Sequence, residues 1–474
     1  MASARTNPGA IKCHSEDRAA LDGMEKRLFK LVSKGATPQQ WAEWLRVPLE
    51  HAAAAGDKEL AMMLLKAGAD GGAGWKGCKG RTLLSAAAEG GNVDIVSALL
   101  GAGGLEELNA ASGDEKMTPI HKACREGHAA AARALLVEGA DVSIRDSSNC
   151  SALHYALDHG HFQLARDVMI ARADPNTKDD HGDTPLHLAL AHDDDRFICT
   201  LLHRGAGVNV ANDYGIHPLH LAIEHGRTSV AKALLQAGAD ANARYGKSRR
   251  HSPLMLARSS LAMTQLLLEH GADIESSDGL GFGALHRAAG YGSASVVDAL
   301  AEAGANLEAK STSVRFTEKY RFEGLTPLHL AAYGRNFECA AALVRKGANI
   351  NAKDRKGRTP LHVVCASSAK ARSHKMADLL LRWGADEIAT DKDGKTPQDV
   401  IEEGSEVKGR LRRLLANAPS DRVWRRRGML VLCRARSPHV SRRKRVCGVV
   451  SDPVISRVVG VEADAIFRRI VGFL

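Results

Sequence analysis

Residues 184–194 read TPLHLALAHDD, and nearly the same words return as TPLHLAAYGRN at 326–336 and TPLHVVCASSA at 359–369. Aligning the weaker copies gives starts at Val47, Thr82, Thr118, Ser151, Thr184, His217, Ser252, Gly283, Thr326, Thr359 and Thr396. Most spacings are 33–37 residues; the exceptions are 31 after Ser252 and 43 after Gly283. A fixed period of this length means stacked copies of one supersecondary unit, each burying its apolar face against its neighbours.

The opening phrase starts a helix. A threonine hydroxyl accepts an orphan N–H of the first turn, and proline at the next position has the right φ and no donor to lose. A second phrase closes each copy, as in LLVEGADVSIRD at 135–146, LLQAGADANAR at 234–244 and LVRKGANINAKD at 343–354. Its glycines (Gly139, Gly238, Gly347) suit the left-handed residue at a helix end. Turn sequences follow, as in Asp213-Tyr-Gly, Asp354-Arg-Lys-Gly and Asp391-Lys-Asp-Gly. Each copy therefore reads as helix, tight turn, helix and hairpin-like loop.

The Thr-Pro-Leu-His-x-Ala and Leu-Leu-x-x-Gly-Ala-Asp phrases, at this period, resemble the ankyrin repeat over about residues 47–416. The expected fold is an all-α helix-turn-helix solenoid of about eleven repeats. The expected organisation is a disordered N-terminus (1–19), capping helices (20–46), the array (47–418) and a basic, partly helical tail (419–474). Some copies depart from the phrase: Glu50 replaces His in the first, Leu83 replaces Pro in the second, Met255 replaces His in the seventh, and Gln398-Asp399 replace Leu-His in the last. For the seven histidines at the common position (His121, His154, His187, His220, His286, His329, His362) the resemblance implies structural hydrogen bonds near the helix start.

The net charge is +10, and it lies almost wholly in residues 420–474, which hold 13 Lys and Arg against 4 Asp and Glu. The array itself is close to neutral, which argues against nucleic acid as its partner. The basic clusters RRR (425–427) and RRKR (442–445) suit import into the nucleus or contact with anionic lipid. Nine scattered cysteines without C-x-x-C pairs fit a reducing compartment, so the expected location is the cytoplasm, with the nucleus open. No stretch reaches the ~18 apolar residues of a membrane span.

Catalytic signatures such as G-x-x-x-x-G-K-[ST], H-E-x-x-H and G-x-S-x-G do not occur. Asp193-Asp194-Asp195 near His181 and His192 is a metal candidate, but consecutive acids on a turn face water more often than one another. The expectation is a non-enzyme without cofactor or metal, acting as a monomeric scaffold for a partner protein. The alternative is a ubiquitin-ligase substrate adaptor, because Leu432-Cys433-Arg434 resembles the opening of a SOCS box.

The expected contact residues are cations and aromatics in the inter-repeat loops: Tyr214, Tyr245, Arg249, Arg250, Arg355 and Lys356. The segment 311–323 accounts for the 43-residue spacing and adds Arg315, Phe316, Tyr320, Arg321 and Phe322. Such side chains are enriched where interfaces bind most strongly, and their charge favours an acidic or phosphorylated partner surface. The segment LLQAGADANA at 234–243 also resembles those in which ankyrin repeats are hydroxylated on Asn, which singles out Asn242.

Overall fold

The computed structural model describes residues 38–69, 80–246, 250–312, 314–315, 321–367, 373–401 and 406–417. The N-terminal segment 1–37 and the tail from 418 onward, with its proposed adaptor motif, lie outside the described residues. The chain divides into two compact units, one up to Leu221 and one from Ala222.

In the first unit, helix pairs follow one another: α1 (Pro38–Ala55) and α2 (Lys58–Lys66), α3 (Leu83–Gly90) and α4 (Val93–Gly101), α5 (Pro119–Glu126) and α6 (Ala129–Val137), α7 (Ala152–Asp158) and α8 (Phe162–Ile170), α9 (Pro185–Leu190) and α10 (Asp195–His203). Helix α11 (Pro218–Glu224) carries the boundary. The second unit continues with α12 (Thr228–Gln236), α13 (Pro253–Leu256) and α14 (Leu261–Glu269), α15 (Ala284–Tyr291) and α16 (Ala294–Glu302), α17 (Pro327–Gly334) and α18 (Phe337–Lys346), α19 (Pro360–Ala366) and α20 (Ser373–Arg382), then α21 (Glu406–Asn417). The only strands among the described residues are the two-residue pair β1 (Val314–Arg315) and β2 (Arg321–Phe322). The all-α expectation holds.

The apolar motif positions make the core. Leu153, Leu186, Leu285, Leu328 and Leu361 of the first helices are all buried, as are Leu135, Val168, Leu201, Leu234, Leu267 and Val297 of the second. Alanines fill the space between, for example Ala123, Ala156, Ala189, Ala288 and Ala331. Cys124, Cys339 and Cys365 are buried free thiols, and burial pushes the Cys339 thiol up to about 12. They pack as small apolar groups.

One polar device recurs through this core. The backbone N–H of the residue opening each motif donates to the Nδ1 of the histidine three positions on, at 3.1–3.2 Å, for His121, His154, His187, His220, His286, His329 and His362. Where the opener is Thr or Ser, its hydroxyl also meets Nδ1, at 2.7–2.9 Å. A backbone N–H can only donate, so Nδ1 must be bare and Nε2 carries the proton. Nε2–H then donates to the carbonyl of the residue just before the next motif: Asp183, Ile216, Leu325, Arg358 and Lys395 for His154, His187, His286, His329 and His362, at 3.0–3.3 Å. One ring thus caps its own helix and fastens the next repeat.

Copies without the histidine use other fastenings. Ser85 N–H donates to Thr82 Oγ1 (3.1 Å), and Ser85 Oγ accepts from Ser112 Oγ (2.8 Å). Ser252 meets Ser276 Oγ at 3.1 Å. In the last copy Asp399 takes the histidine's place, its Oδ2 accepting from both the N–H and the hydroxyl of Thr396 at 2.8 and 2.7 Å.

The first copy differs from expectation. No helix starts at Val47; α1 begins at Pro38 and runs through Pro48. Proline lacks a donor, so the Trp44 carbonyl loses its helical partner there, yet Leu49, Ala52 and Ala53 on the same helix are buried and hold it in place. The expected boundary between cap and array at 46/47 therefore falls inside one helix.

The fastening demands neutral rings, and burial lowers the pKa of six of the seven, with His121, His286 and His329 brought down to about 4. A histidine whose folded pKa lies below its unfolded value contributes stability that is complete above about pH 6.5 and is lost as pH falls toward the folded value. Urea melts between pH 7.5 and 4.5 should show stability falling steadily below about pH 6.5, by on the order of 2–3 kcal/mol for each fully shifted ring. A profile flat across that range would mean the rings are not held neutral. In the same assay Leu328→Ala, at a side chain 1% exposed, should cost about 2–5 kcal/mol.

Candidate functional site

The inter-repeat hairpins carry the expected contact residues, and their backbone follows one template. In the first unit Asp146, Asp179 and Asn212 each open a hairpin, and in the second Asp278, Asp354 and Asp391 do so. The opener's Oδ1 accepts two backbone N–H groups, two and four residues on, at 2.8–3.1 Å. Its own N–H donates across the hairpin to the fifth residue's carbonyl, as from Asp179 to Asp183 and from Asp354 to Arg358. The fourth residue has positive φ; it is Gly182, Gly215, Gly281, Gly357 or Gly394, and Asn149 in the remaining copy. Asn tolerates that region better than other side chains. The turn around Tyr214 is thus opened by Asn212, one residue before the expected Asp213.

Within each unit the tips are stitched together. Asp180 N–H donates to Ser148 O and Asp213 N–H to His181 O in the first. Thr312 donates to Leu280 O, Arg355 to Glu323 O and Lys392 to Lys356 O in the second, at 2.8–2.9 Å. Glycine serves this approach as well as the turn: a Cβ on Gly281 would lie 2.5 Å from Thr312 N. The tip backbone is consumed by the ladder, so side chains are what it presents to a partner.

The expected contact residues separate accordingly. Tyr214 is 61% exposed at a tip of the first unit. Arg250, Arg355 and Lys356 are exposed in the second. Arg355 Nη1 reaches Glu323 at 2.8 Å with its side chain 70% exposed, a pairing that solvent leaves nearly worthless. Tyr245 is a correction: it lies at the base of its hairpin, exchanging two backbone bonds with His251, and its hydroxyl donates to Glu224 Oε1 at 2.9 Å. The insertion lengthens its hairpin. Ser311 and Leu325 close the base, and beyond it Val314 pairs with Phe322 and Arg315 with Arg321. Arg249, Phe316 and Tyr320 lie outside the described residues.

A second row of bridges joins the ends of the repeats. Asn242 Nδ2 donates to Gly271 O at 3.1 Å and its Oδ1 accepts from Asp273 N at 2.7 Å. Asn176 does the same with Gly205 and Gly207, and Asn351 with Gly384 and Asp386. The residue singled out for hydroxylation therefore has both ends of its amide engaged.

The acidic triplet does not converge. Asp194 caps α10, accepting from Phe197 N at 3.0 Å, and pairs with Arg166 at 2.9 Å. His192 Nε2 bonds Asp158 O at 3.2 Å, and His181 sits on a hairpin tip. An open pocket of about 520 Å³ runs beside the triplet, but no group of three or more His, Cys, Asp or Glu among the described residues is placed to hold a metal.

The sequence reading missed a cluster on the first helices of the second unit. Arg258 lies 4.1 Å from the centroid of the Tyr291 ring. Arg287 pairs with Asp278 and lies 5.6 Å from the Phe282 centroid. Phe282 packs with Leu325, Leu330, Leu280 and Tyr333. The available signal was weak: Arg287 follows the motif histidine where Leu188, Leu221 and Leu330 stand in other copies, but Lys122 does the same in the third.

Models of ankyrin repeats, three copies each, match residues 49–146, 104–179, 153–245, 241–311 and 285–391. Human Rabankyrin-5 is 51% identical over 45 residues, which are 10% of this chain and 4% of that protein. Protein phosphatase 1 regulatory subunit 27, in human and mouse, is 46% identical over 43 residues, 9% of this chain and 28% of the relative. The matched stretches thus span less than a third of each of these relatives. The solved ankyrin repeat domain of Bcl-3 is 26% identical at a TM-score of 0.41, covering 50% of this chain and 99% of that one.

Replacing Asn242 by Ala should remove both of its inter-repeat bonds. We expect a loss of about 1–2 kcal/mol in urea denaturation, and a cost near zero would mean that water replaces the bridge.

Proposed function

Because the chain belongs to the ankyrin repeat family, we propose that it is a non-enzymatic, cytoplasmic interaction scaffold that binds a partner protein through side chains on its inter-repeat hairpins. The observation that carries this reading is the ladder at the tips. It satisfies the backbone of successive loops with one another, as between Lys392 and Lys356 or Thr312 and Leu280, and leaves the outward positions variable. At those positions stand Tyr214, Arg355 and Lys356, all exposed, and Arg250 is exposed on the hairpin closed by Tyr245 and His251. Loops fixed on a rigid scaffold are the usual carriers of binding groups, and exposed aromatic and arginine side chains give most when buried in an interface.

The hairpin of 311–325 is the most distinctive of these loops. It adds an antiparallel pairing between 314–315 and 321–322 to the common template and contributes Arg315, Phe316, Tyr320, Arg321 and Phe322. Ordering by strand pairing lowers the entropy lost when such a loop binds. Its charge, together with Arg355 and Lys356, favours a partner with an acidic surface.

The test is affinity capture from cell extract with the full chain and with Phe316, Tyr320 and Phe322 replaced together by Ser. The variant should lose its specific partners by tenfold or more while keeping its helical circular dichroism. Retention of the same partners in the same amounts would remove this hairpin from the interface.

A further inference from the structure

The repeat opened by Ser252 breaks the pattern of its neighbours. Its first helix, α13, is a single turn of 4 residues, where α15 and α17 have 8. It has Met255 in place of the histidine. The chain leaves the helix at Ala257, so Arg258 projects from the end of a truncated helix onto the next repeat. Its guanidinium stacks on Tyr291, 4.1 Å from the ring centroid, and Tyr291 remains 60% exposed.

Charge in this neighbourhood is unevenly matched. Glu224 accepts from the Tyr245 hydroxyl at 2.9 Å. Asp278 pairs with Arg287. Among the described residues no carboxylate forms an ion pair with Arg258. Arg250 adds a further exposed cation on the adjoining hairpin. The Tyr245 phenol is pushed up to about 12 by burial and by Glu224, while Arg258 and Arg287 pull it back. The phenol therefore stays neutral.

A guanidinium seated over an aromatic ring at this distance does not spend its N–H groups on the ring, and they keep a fork matched to a carboxylate. The stack also fixes the side chain before any ligand arrives, which lowers the entropy cost of binding. We propose that Arg258 and Tyr291 form a receptor for a glutamate- or aspartate-bearing extended segment of a partner protein. A carboxylate of the segment takes the Arg258 fork, and its neighbouring side chains lie on the exposed tyrosine ring. The proposal rests on the interaction reading above but uses residues separate from the hairpin tips.

The test uses the full chain and fluorescein-labelled ten-residue peptides that alternate Leu with Glu, Gln or phosphoserine. The Glu peptide should bind at least tenfold more tightly than the Gln peptide, and more weakly at 300 mM salt than at 50 mM. Arg258→Gln and Tyr291→Ala should each weaken it tenfold or more, with circular dichroism melts unchanged. Arg258→Lys, which keeps charge without the planar fork, should fall between. Tyr291→Phe, which keeps the ring, and Arg382→Gln, an exposed cation on α20, should bind as the parent does. Equal binding of the Glu and Gln peptides, no binding of the Glu peptide, or an unaffected Arg258→Gln variant overturns the proposal. Tighter binding of the phosphoserine peptide overturns its assignment to carboxylates. If these peptides fail while partner capture still depends on Phe316, Tyr320 and Phe322, only the Arg258 receptor falls.

Discussion

Neutral imidazole is the group on which the rest of this structure depends. A ring such as that of His329 accepts from the Thr326 backbone on one side and donates to the Arg358 carbonyl on the other. The neutral ring holds one acceptor and one donor rigidly apart, so it can cap a helix and reach a neighbouring repeat at once, as Asn92 also does with Asp94 N and Gly56 O. The surrounding apolar packing is non-directional, so leucines and alanines alone would permit adjacent repeats to slide. The histidine sets the register, and the hairpin ladder and the asparagine bridges repeat that same register farther out.

Much of this was legible in the amino-acid sequence because its causes are local. Thr-Pro at a helix start, Gly at a helix end and Asx-x-x-Gly in a turn each act within a few residues, and the period multiplied them. What escaped depended on packing and side-chain pairings that the motif does not announce. Asp399 reads as a departure from the motif until its carboxylate is seen accepting from Thr396. Pro48 reads as a helix start until the burial of Leu49 and Ala53 shows the helix continuing through it. Tyr245 reads as a loop-tip aromatic, but Glu224, 21 residues earlier, draws it inward. The Arg258–Tyr291 stack could not be read at all, since it requires knowing that α13 ends after one turn.

The candidate surface was legible only as composition. Cations and aromatics in the inter-repeat loops were identifiable, but which of them are consumed by internal pairing was not. Arg358 and Arg355 are near neighbours in sequence. Arg358 is buried against Asp354, whereas Arg355 stands 70% exposed beside Glu323. In every one of these hairpins the second residue is exposed, whereas the fifth ranges from buried Phe282 and Arg358 to exposed Lys395.

That division of labour within a turn of five residues has a consequence for how such a chain can change over generations. The first and fourth positions answer to folding, and the two between, Leu280 apart, answer to little inside the molecule. Recognition can therefore drift at the middle pair, loop by loop, while selection for a folded chain holds the opener and the positive-φ residue still. A gene built this way can exchange one partner for another by substitutions that a stability measurement would barely register.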